Sequence, residues 1–557
     1  MEWQSLATFV ASIGPRTVPV PAEHDTPRHD RAFALLLVSA LTLFAVAVDG
    51  YHPFAEDGGL YMAGVERLLE PSLYPHYTAF VLEPTRHSLF APTVAGAVHL
   101  THLPLPAVLL VLYLASIWAT LFAAWMLASR CWTNRSARVG AVVLLACWLS
   151  LPIAGTALLF MDPYATARSL STPAMVLALA GVLEMTAGPD PFHSQERKRR
   201  RGLLLCIASL ALAAAMHPLM AAYALGATLL LLAARLPTRT TRLYATAALA
   251  AAALALATCL QALATPESAE YIRVALTRSY WFPAQWRWYE LAGLAAPLAI
   301  LSIFAWRARV SMRQTHISES RCAAPGSCYG IDSVRALARM AIAMGATSCL
   351  IASLFARTTA TTHWIARLQP LRAFQTVYLI LVLTLGAQLG ERILRRSVWR
   401  WAAAMLLLGG IMFYTARTAY PNSSHLEFPW NSARNRWAQA FLWIRDNTPA
   451  NALFALDADY INTPGEDAQC FRAIAQRSSL ADYSKDGGEA SIAPELTGDW
   501  VRSQQAQQQL STPGTSDAQR LAALRPLGVT WVVLQASAST RFDCPYSNSA
   551  VRVCKLR

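Results

Sequence analysis

Three carboxylates, Asp49, Glu56 and Asp57, lie close together in AVAVDGYHPFAEDGGLYMAGVERLL, directly after an apolar run at 33–48. Acids at the edge of a lipid-facing segment can take a proton from a hydroxyl, hold a cation or cap a helix. A helix over 59–70 would put Asp57 near its N-cap, with Gly58-Gly59 allowing a tight backbone turn beside it. Asp57 as a plain helix cap and Asp49 as an interfacial anchor are the alternatives without chemistry. A fourth acid, Asp162, ends an apolar stretch in LLFMDPYATARSLSTP, with Arg168 as the base nearby. In HWIARLQPLRAFQ, Arg367 and Arg372 bracket Pro370 where the chain enters another apolar run. Guanidinium groups in that position can clamp a phosphate bidentately.

These residues have to be held by elements built for lipid. Of 557 residues 55% are hydrophobic and 14% are charged, and apolar runs recur from about residue 33 to residue 418. This is the pattern of an all-α polytopic membrane bundle. We expect about eleven transmembrane helices, near 33–48, 105–127, 139–160, 173–188, 202–216, 219–234, 243–264, 291–306, 336–355, 373–390 and 401–418. The stretch 202–234 is interrupted at His217-Pro218, and reads as two short spans or as one kinked helix of about 50 Å. Two spans keep every basic loop on one side.

Lys and Arg crowd alternate loops, as in ERKRRR at 196–201 and ERILRRSVWR at 391–400, and thin out in the loops between. By the positive-inside rule the crowded loops are cytoplasmic, so the long loop 49–104 and Asp162 face outward. The same bias accounts for much of the net charge of +14 and leaves no case for nucleic acid as a partner. TRSYWFPAQWRWYE at 277–290 breaks the charge rule. It interleaves Arg287 with aromatic residues, which suits an interfacial helix anchored at the headgroups.

The expected domains are a cytoplasmic tail (1–32), a membrane domain (33–418) with its long first outer loop, and an extracytoplasmic segment (419–557). That last part changes character. NRWAQAFLWIRDNTPANALFALDADY predicts an amphipathic helix stopped at Thr448-Pro449 and a strand around Leu453 to Leu456; a helical stretch near 517–525 precedes a second strand, VTWVVLQ, at 529–535. The pattern is a small C-terminal α/β domain. Ten cysteines are scattered without CxxC or Cys/His spacing, so no metal site is expected. Cys544 and Cys554 flank a turn with Pro545 and Asn548, and are read either as a hairpin disulfide or as two free thiols.

Acids to activate an acceptor, arginines to hold a phosphate and aromatics to cover a lipid chain and sugar rings make one coherent site. On these features the chain resembles the GT-C superfamily of integral-membrane glycosyltransferases. The resemblance implies a GT-C-like fold, a polyprenyl-phosphate-linked sugar as donor, and a glycan, lipid or protein acceptor. It implies placement in a bacterial inner (cytoplasmic) membrane among membrane lipids, and a divalent cation only if the reaction uses one. Carried over by position, Glu56-Asp57 is similar to the acidic pair of the first loop, with Asp57 or else Asp49 as general base. Asp162 corresponds to the second-loop acid, and Arg367 or Arg372 to the carrier-phosphate ligand. Arg168, Tyr61 and Arg287 complete the expected substrate-binding set. The order here is Glu-Asp, whereas the mannosyltransferase-like and aminoarabinose-transferase-like branches have Asp-Glu. A WWD-type motif, as in oligosaccharyltransferases, is absent from the sequence. The rival reading is a lipid-linked-glycan transporter or a non-catalytic envelope assembly protein. Transporters carry repeats and mid-membrane charges, and the sequence has no clear repeat.

Overall fold

The computed structural model describes residues 27–188, 194–316 and 325–556. Among the described residues seven helices are long and apolar enough to cross a membrane: Asp30–Asp49, Leu105–Cys131, Arg239–Leu263, Trp288–Arg307, Gly330–Phe355, Trp364–Leu394 and Val398–Ala419. The other four predicted spans also form helices, but shorter or charged ones. Gln195–Met216 opens on a run of basic residues, and Pro218–Ala234 is a shorter apolar helix. The chain breaks at His217, whose backbone is extended, so 202–234 is two helices rather than one. The turn between them sits against the first long loop, where Leu89 N–H donates to Ala215 O at 2.8 Å.

The predicted span at 139–160 needs a larger correction. Helix Arg135–Cys147 is 13 residues long, about 20 Å, and the chain then runs irregularly to Thr166. Leu149, Ile153, Leu158 and Phe160 in that irregular stretch are buried in protein, which explains why it reads as lipid-facing. Its next helix, Ala167–Met185, packs along Gln195–Met216. The contact depends on glycine: a Cβ on Gly181 would meet Gly202 O at 2.7 Å, and one on Gly202 would meet Gly181 O at 2.6 Å. A Gly181→Leu substitution is expected to cost on the order of 1–3 kcal/mol through overpacking, read as a lower midpoint of thermal denaturation in detergent.

The helix after the first span runs Glu56–Leu69, starting three residues earlier than predicted. Ala55 is its N-cap, so Glu56 and Asp57 lie inside the first turn rather than ahead of it. Gly58 and Gly59 are helical and make no turn. Their use is steric: a Cβ on Gly58 would press on the Tyr164 ring, and one on Gly59 on Cys470. Both neighbours come from distant parts of the chain, so this helix is clamped between the bundle and the C-terminal domain instead of lying free on a membrane.

The C-terminal domain is a five-stranded mixed sheet with helices. Strands Leu453–Ala455 (β1), Ser478–Ser479 (β2), Trp531–Gln535 (β3), Asp543–Ser547 (β4) and Val551–Lys555 (β5) are ordered β2-β1-β3-β5-β4. β1 pairs in parallel with β2 and β3, while β3-β5-β4 is antiparallel. Helix Arg436–Asn447 is capped by Asn435, whose side chain accepts from Trp437 N–H, and it packs Trp437, Phe441 and Ile444 against Phe454, Phe471 and Trp531. A disulfide joins Cys544 to Cys554 across β4 and β5. Cys131, Cys147, Cys206, Cys259, Cys349 and Cys470 are free thiols.

Candidate active site

Glu56 and Asp57 meet a partner that the sequence reading left unassigned. Lys485, at the start of helix Lys485–Ile492, extends its ammonium between the two carboxylates. Its Nζ donates to Asp57 Oδ1 at 2.9 Å and also pairs with Glu56 Oε2. The lysine side chain is 16% exposed, and each acid is 37% exposed, so the acids open toward the cleft and the lysine backs them. Glu56 has φ +52, a conformation that costs a non-glycine residue energy and is retained where surrounding structure imposes it. Here its N–H donates to Ala468 O at 2.8 Å, pinning the turn to the C-terminal domain.

The lysine is itself held in place. Asp482 Oδ1 accepts from Lys485 N–H at 2.6 Å, and Asp486 Oδ2 accepts from Asp482 N–H at 2.8 Å. Asp486 in turn takes both ends of Arg472, at 2.6 and 2.8 Å, in a buried bidentate pair. Burial and then the nearby Asp486 push the Asp482 carboxyl up to about 7.

Opposite charges set the state of the cluster. Burial alone would raise the Asp57 carboxyl, but Lys485, then Arg168 and Arg372, hold it well below the usual carboxylate range. Burial would likewise lower Lys485, and the two carboxylates keep it well above its ordinary value. Glu489, one turn beyond Lys485, is different: burial and then the charges of Asp57 and Asp486 push it well above the usual carboxylate range. Nothing in the sequence singled it out.

The second acid sits behind the first pair. Asp162 and Arg168 form a buried ion pair on the irregular segment and the first turn of helix Ala167–Met185. That segment is tied to its surroundings by Pro163 O, which accepts from His52 N–H at 2.7 Å, and by Phe160 O, which accepts from Gln375 Nε2 at 3.1 Å. Burial raises Asp162, with Arg168 opposing and Asp57 adding to the rise. Asp57, Asp162, Arg168 and Lys485 therefore share one electrostatic neighbourhood. Tyr61 joins it one helical turn after Asp57, with its ring edge-on to Phe90 at 5.4 Å between centroids.

Asp49 is set apart. It is buried within the bundle, accepts from Ser150 Oγ, and pairs with none of these cations. A different pair occupies the loop after it: His52 Nδ1 lies 3.1 Å from Glu427 Oε2 and the ring stacks on Tyr420 at 4.0 Å.

The two candidate phosphate arginines separate clearly. Arg367 is occupied: it pairs with Glu267 at 3.4 Å, donates to Tyr271 Oη at 2.7 Å and lies over the Trp364 ring. Arg372 has no side-chain hydrogen bond or ion pair among the described residues, and its Nε is enclosed. It lines a small void with Thr156, Tyr280, Trp281 and Gln369, and Trp281 Nε1 and Gln369 Oε1 beside it also lack partners. It lies within electrostatic reach of Asp57 and Arg168. Arg287 is on the surface, engaged with Glu290 and Tyr289. Among the described residues no three His, Cys, Asp or Glu side chains converge as a metal cluster, and the Lys485 ammonium fills the position between Glu56 and Asp57.

Fold and site together define a helical multi-pass membrane protein whose C-terminal α/β domain completes a charged cleft. No protein-family model and no curated protein matches the chain. Among solved structures, it is similar to the archaeal oligosaccharyltransferase AglB from Archaeoglobus fulgidus, determined with an inhibitory peptide and a dolichol-phosphate. The TM-score is 0.41 at 13% identity over 91% of this chain and 70% of that one. A structure of the Archaeoglobus fulgidus oligosaccharyltransferase in the apo form gives a TM-score of 0.44 at 13% identity, again over 91% and 70%. At these values the likeness carries no functional assignment.

Proposed function

We propose that this protein is a membrane glycosyltransferase that moves a sugar from a polyprenyl-phosphate carrier to an acceptor hydroxyl, on the extracytoplasmic face of a bacterial cytoplasmic membrane. The observation that carries the proposal is Arg372, a cation without a partner among the described residues, set in a partly enclosed space within reach of an ionised Asp57. An unpaired, half-buried guanidinium is suited to an anion, and a phosphate matches its planar fork.

The chemistry follows from the separation of roles. The acceptor hydroxyl gives its proton to Asp57 as its oxygen bonds to the anomeric carbon. The bond from that carbon to the phosphate oxygen breaks, and its electron pair leaves with the carrier phosphate, whose charge Arg372 receives. Attack opposite the leaving group inverts the configuration. A carboxylate of low basicity is adequate, because the hydroxyl proton becomes acidic only as the new bond forms. Glu56 and Lys485 fix Asp57, the Asp162–Arg168 pair supports it from behind, and Tyr61 lines the approach.

Mass spectrometry of lipids retained by protein purified in native membrane tests the donor. Wild type and Arg367→Gln are expected to retain a polyprenyl-phosphate sugar, and Arg372→Gln to lose it. Bulk phospholipids alone, identical in all three, would overturn the reading.

A further inference from the structure

A second cavity lies on the other side of the strand of chain that carries Lys485. It measures about 400 Å³, within the ordinary size range of ligand sites, and is walled by segment 273–277, by Ala458-Asp459, by Tyr483 and by one face of helix Thr497–Gln507 with Gln508. Its lining has a definite chemical character. Tyr483 and Trp500 supply aromatic surface, Gln504, Gln505 and Gln508 supply amides, and Asp459 and Arg273 supply one charge of each sign. Aliphatic surface comes from Val274, Val501 and Ala458.

Two of these groups are fixed before any ligand arrives. Trp500 Nε1 donates to Asp482 O at 2.8 Å, which sets the indole plane. Arg278 lies over one face of Tyr483, 5.5 Å from its centroid, and donates to Tyr483 O and Ser484 O. Gln504 spends its Nε2 on Ala481 O at 2.9 Å, leaving its Oε1 as an acceptor. Gln505 and Gln508 are exposed, and their amides are open to a ligand; Asp459 is exposed as well, with Oδ1 accepting from Asn462 Nδ2 at 2.6 Å and Oδ2 left to face the cavity. Fixed aromatic surface beside several neutral donors and acceptors suits a ligand with apolar C–H faces and many hydroxyls. It suits a lipid chain poorly, because the amides would lose water without replacement, and a strongly charged ligand poorly, because Asp459 and Arg273 offset each other.

We infer that this cavity is a saccharide-binding subsite, and that it holds the glycan acceptor of the reaction proposed above, on which that second step rests. Its connection to the charged cleft is direct. Residues 481–484 have their carbonyls gripped by Gln504, Trp500 and Arg278 from the cavity wall, and the next residue is Lys485, which holds Glu56 and Asp57. A saccharide seated here contacts Tyr483 on the segment that runs directly into Lys485, so its seating is coupled through that segment to the lysine that holds Glu56 and Asp57.

Full-length protein in lipid nanodiscs, applied to a microarray of neutral, amino and acidic glycans, tests the inference. Saturable binding to a neutral or amino glycan is expected. A Gln505→Ala/Gln508→Ala double variant and Asp459→Ala, all at exposed positions, should each weaken it at least tenfold without changing thermal stability. Arg372→Gln, which removes only the donor-phosphate contact, should bind the glycan as wild type does, which separates this subsite from the transferase reading. Glycan binding kept while Arg372→Gln leaves lipid retention unchanged would sink the donor assignment alone. No glycan binding by wild type, or binding unaffected by the cavity variants, would overturn the subsite, as would competition-proof binding of an acceptor peptide library in its place.

Discussion

Asp57→Asn is expected to lower the rate of sugar transfer by about 10²–10⁴-fold, the range for loss of a positioned general base. The fold should survive. Asn is nearly the same size, its carbonyl oxygen can still accept from Lys485 Nζ, and the lysine keeps Glu56 as a charged partner, so its ammonium is not stranded. What disappears is the second lone-pair-bearing oxygen that can take the acceptor proton. The assay is transfer from a labelled polyprenyl-phosphate sugar in proteoliposomes, with glycan and lipid retention measured alongside. Full activity in this variant would remove Asp57 from the role. Asp49→Asn should be far milder, because Asp49 contacts Ser150 and none of Lys485, Arg168 or Arg372.

The contrast between Asp49 and Asp57 marks how far the sequence could be read. Both acids follow the same apolar run and look equivalent by spacing; only the fold shows that one points into the bundle and the other into the cleft. Arg367 and Arg372 pose the same problem. They flank one proline, and what separates them is Glu267, about a hundred residues earlier, which satisfies the first and not the second. Lys485 was visible only as part of a polar stretch, since its partner Asp57 lies 428 positions away and no local pattern encodes that pairing. The elements of the C-terminal domain were easier, because the aromatic helix and the short apolar runs bounded by polar and turn residues carry local signals of their own: helix Arg436–Asn447 and strands at 453–455 and 531–535 lie where the pattern puts them. The misread span at 139–160 has the opposite cause. Hydrophobicity reports removal from water, and a loop buried by neighbouring protein is as apolar as a helix buried in lipid.

Lys485→Met should move the acid side of the pH–rate profile upward by about 1–3 pH units, the usual effect of an adjacent cation on a carboxylate. The sign follows from the forces on Asp57. In the wild type, burial pushes the carboxyl up and Lys485, with Arg168 and Arg372, pulls it well below the usual range, so transfer should stay undiminished down to mildly acidic pH. With methionine the leading stabiliser of the charged form is gone while the enclosure remains, so Asp57 takes up its proton at higher pH and the base is lost sooner. Glu56 then adds to the rise, because two carboxylates are left facing one another without the ammonium between them. Lys485→Arg keeps the charge and should keep the wild-type acid limb, even if the longer group lowers the plateau rate. A structural role alone would reduce the rate equally at every pH in both variants, and that outcome would assign Lys485 to domain docking instead of to the ionisation of Asp57.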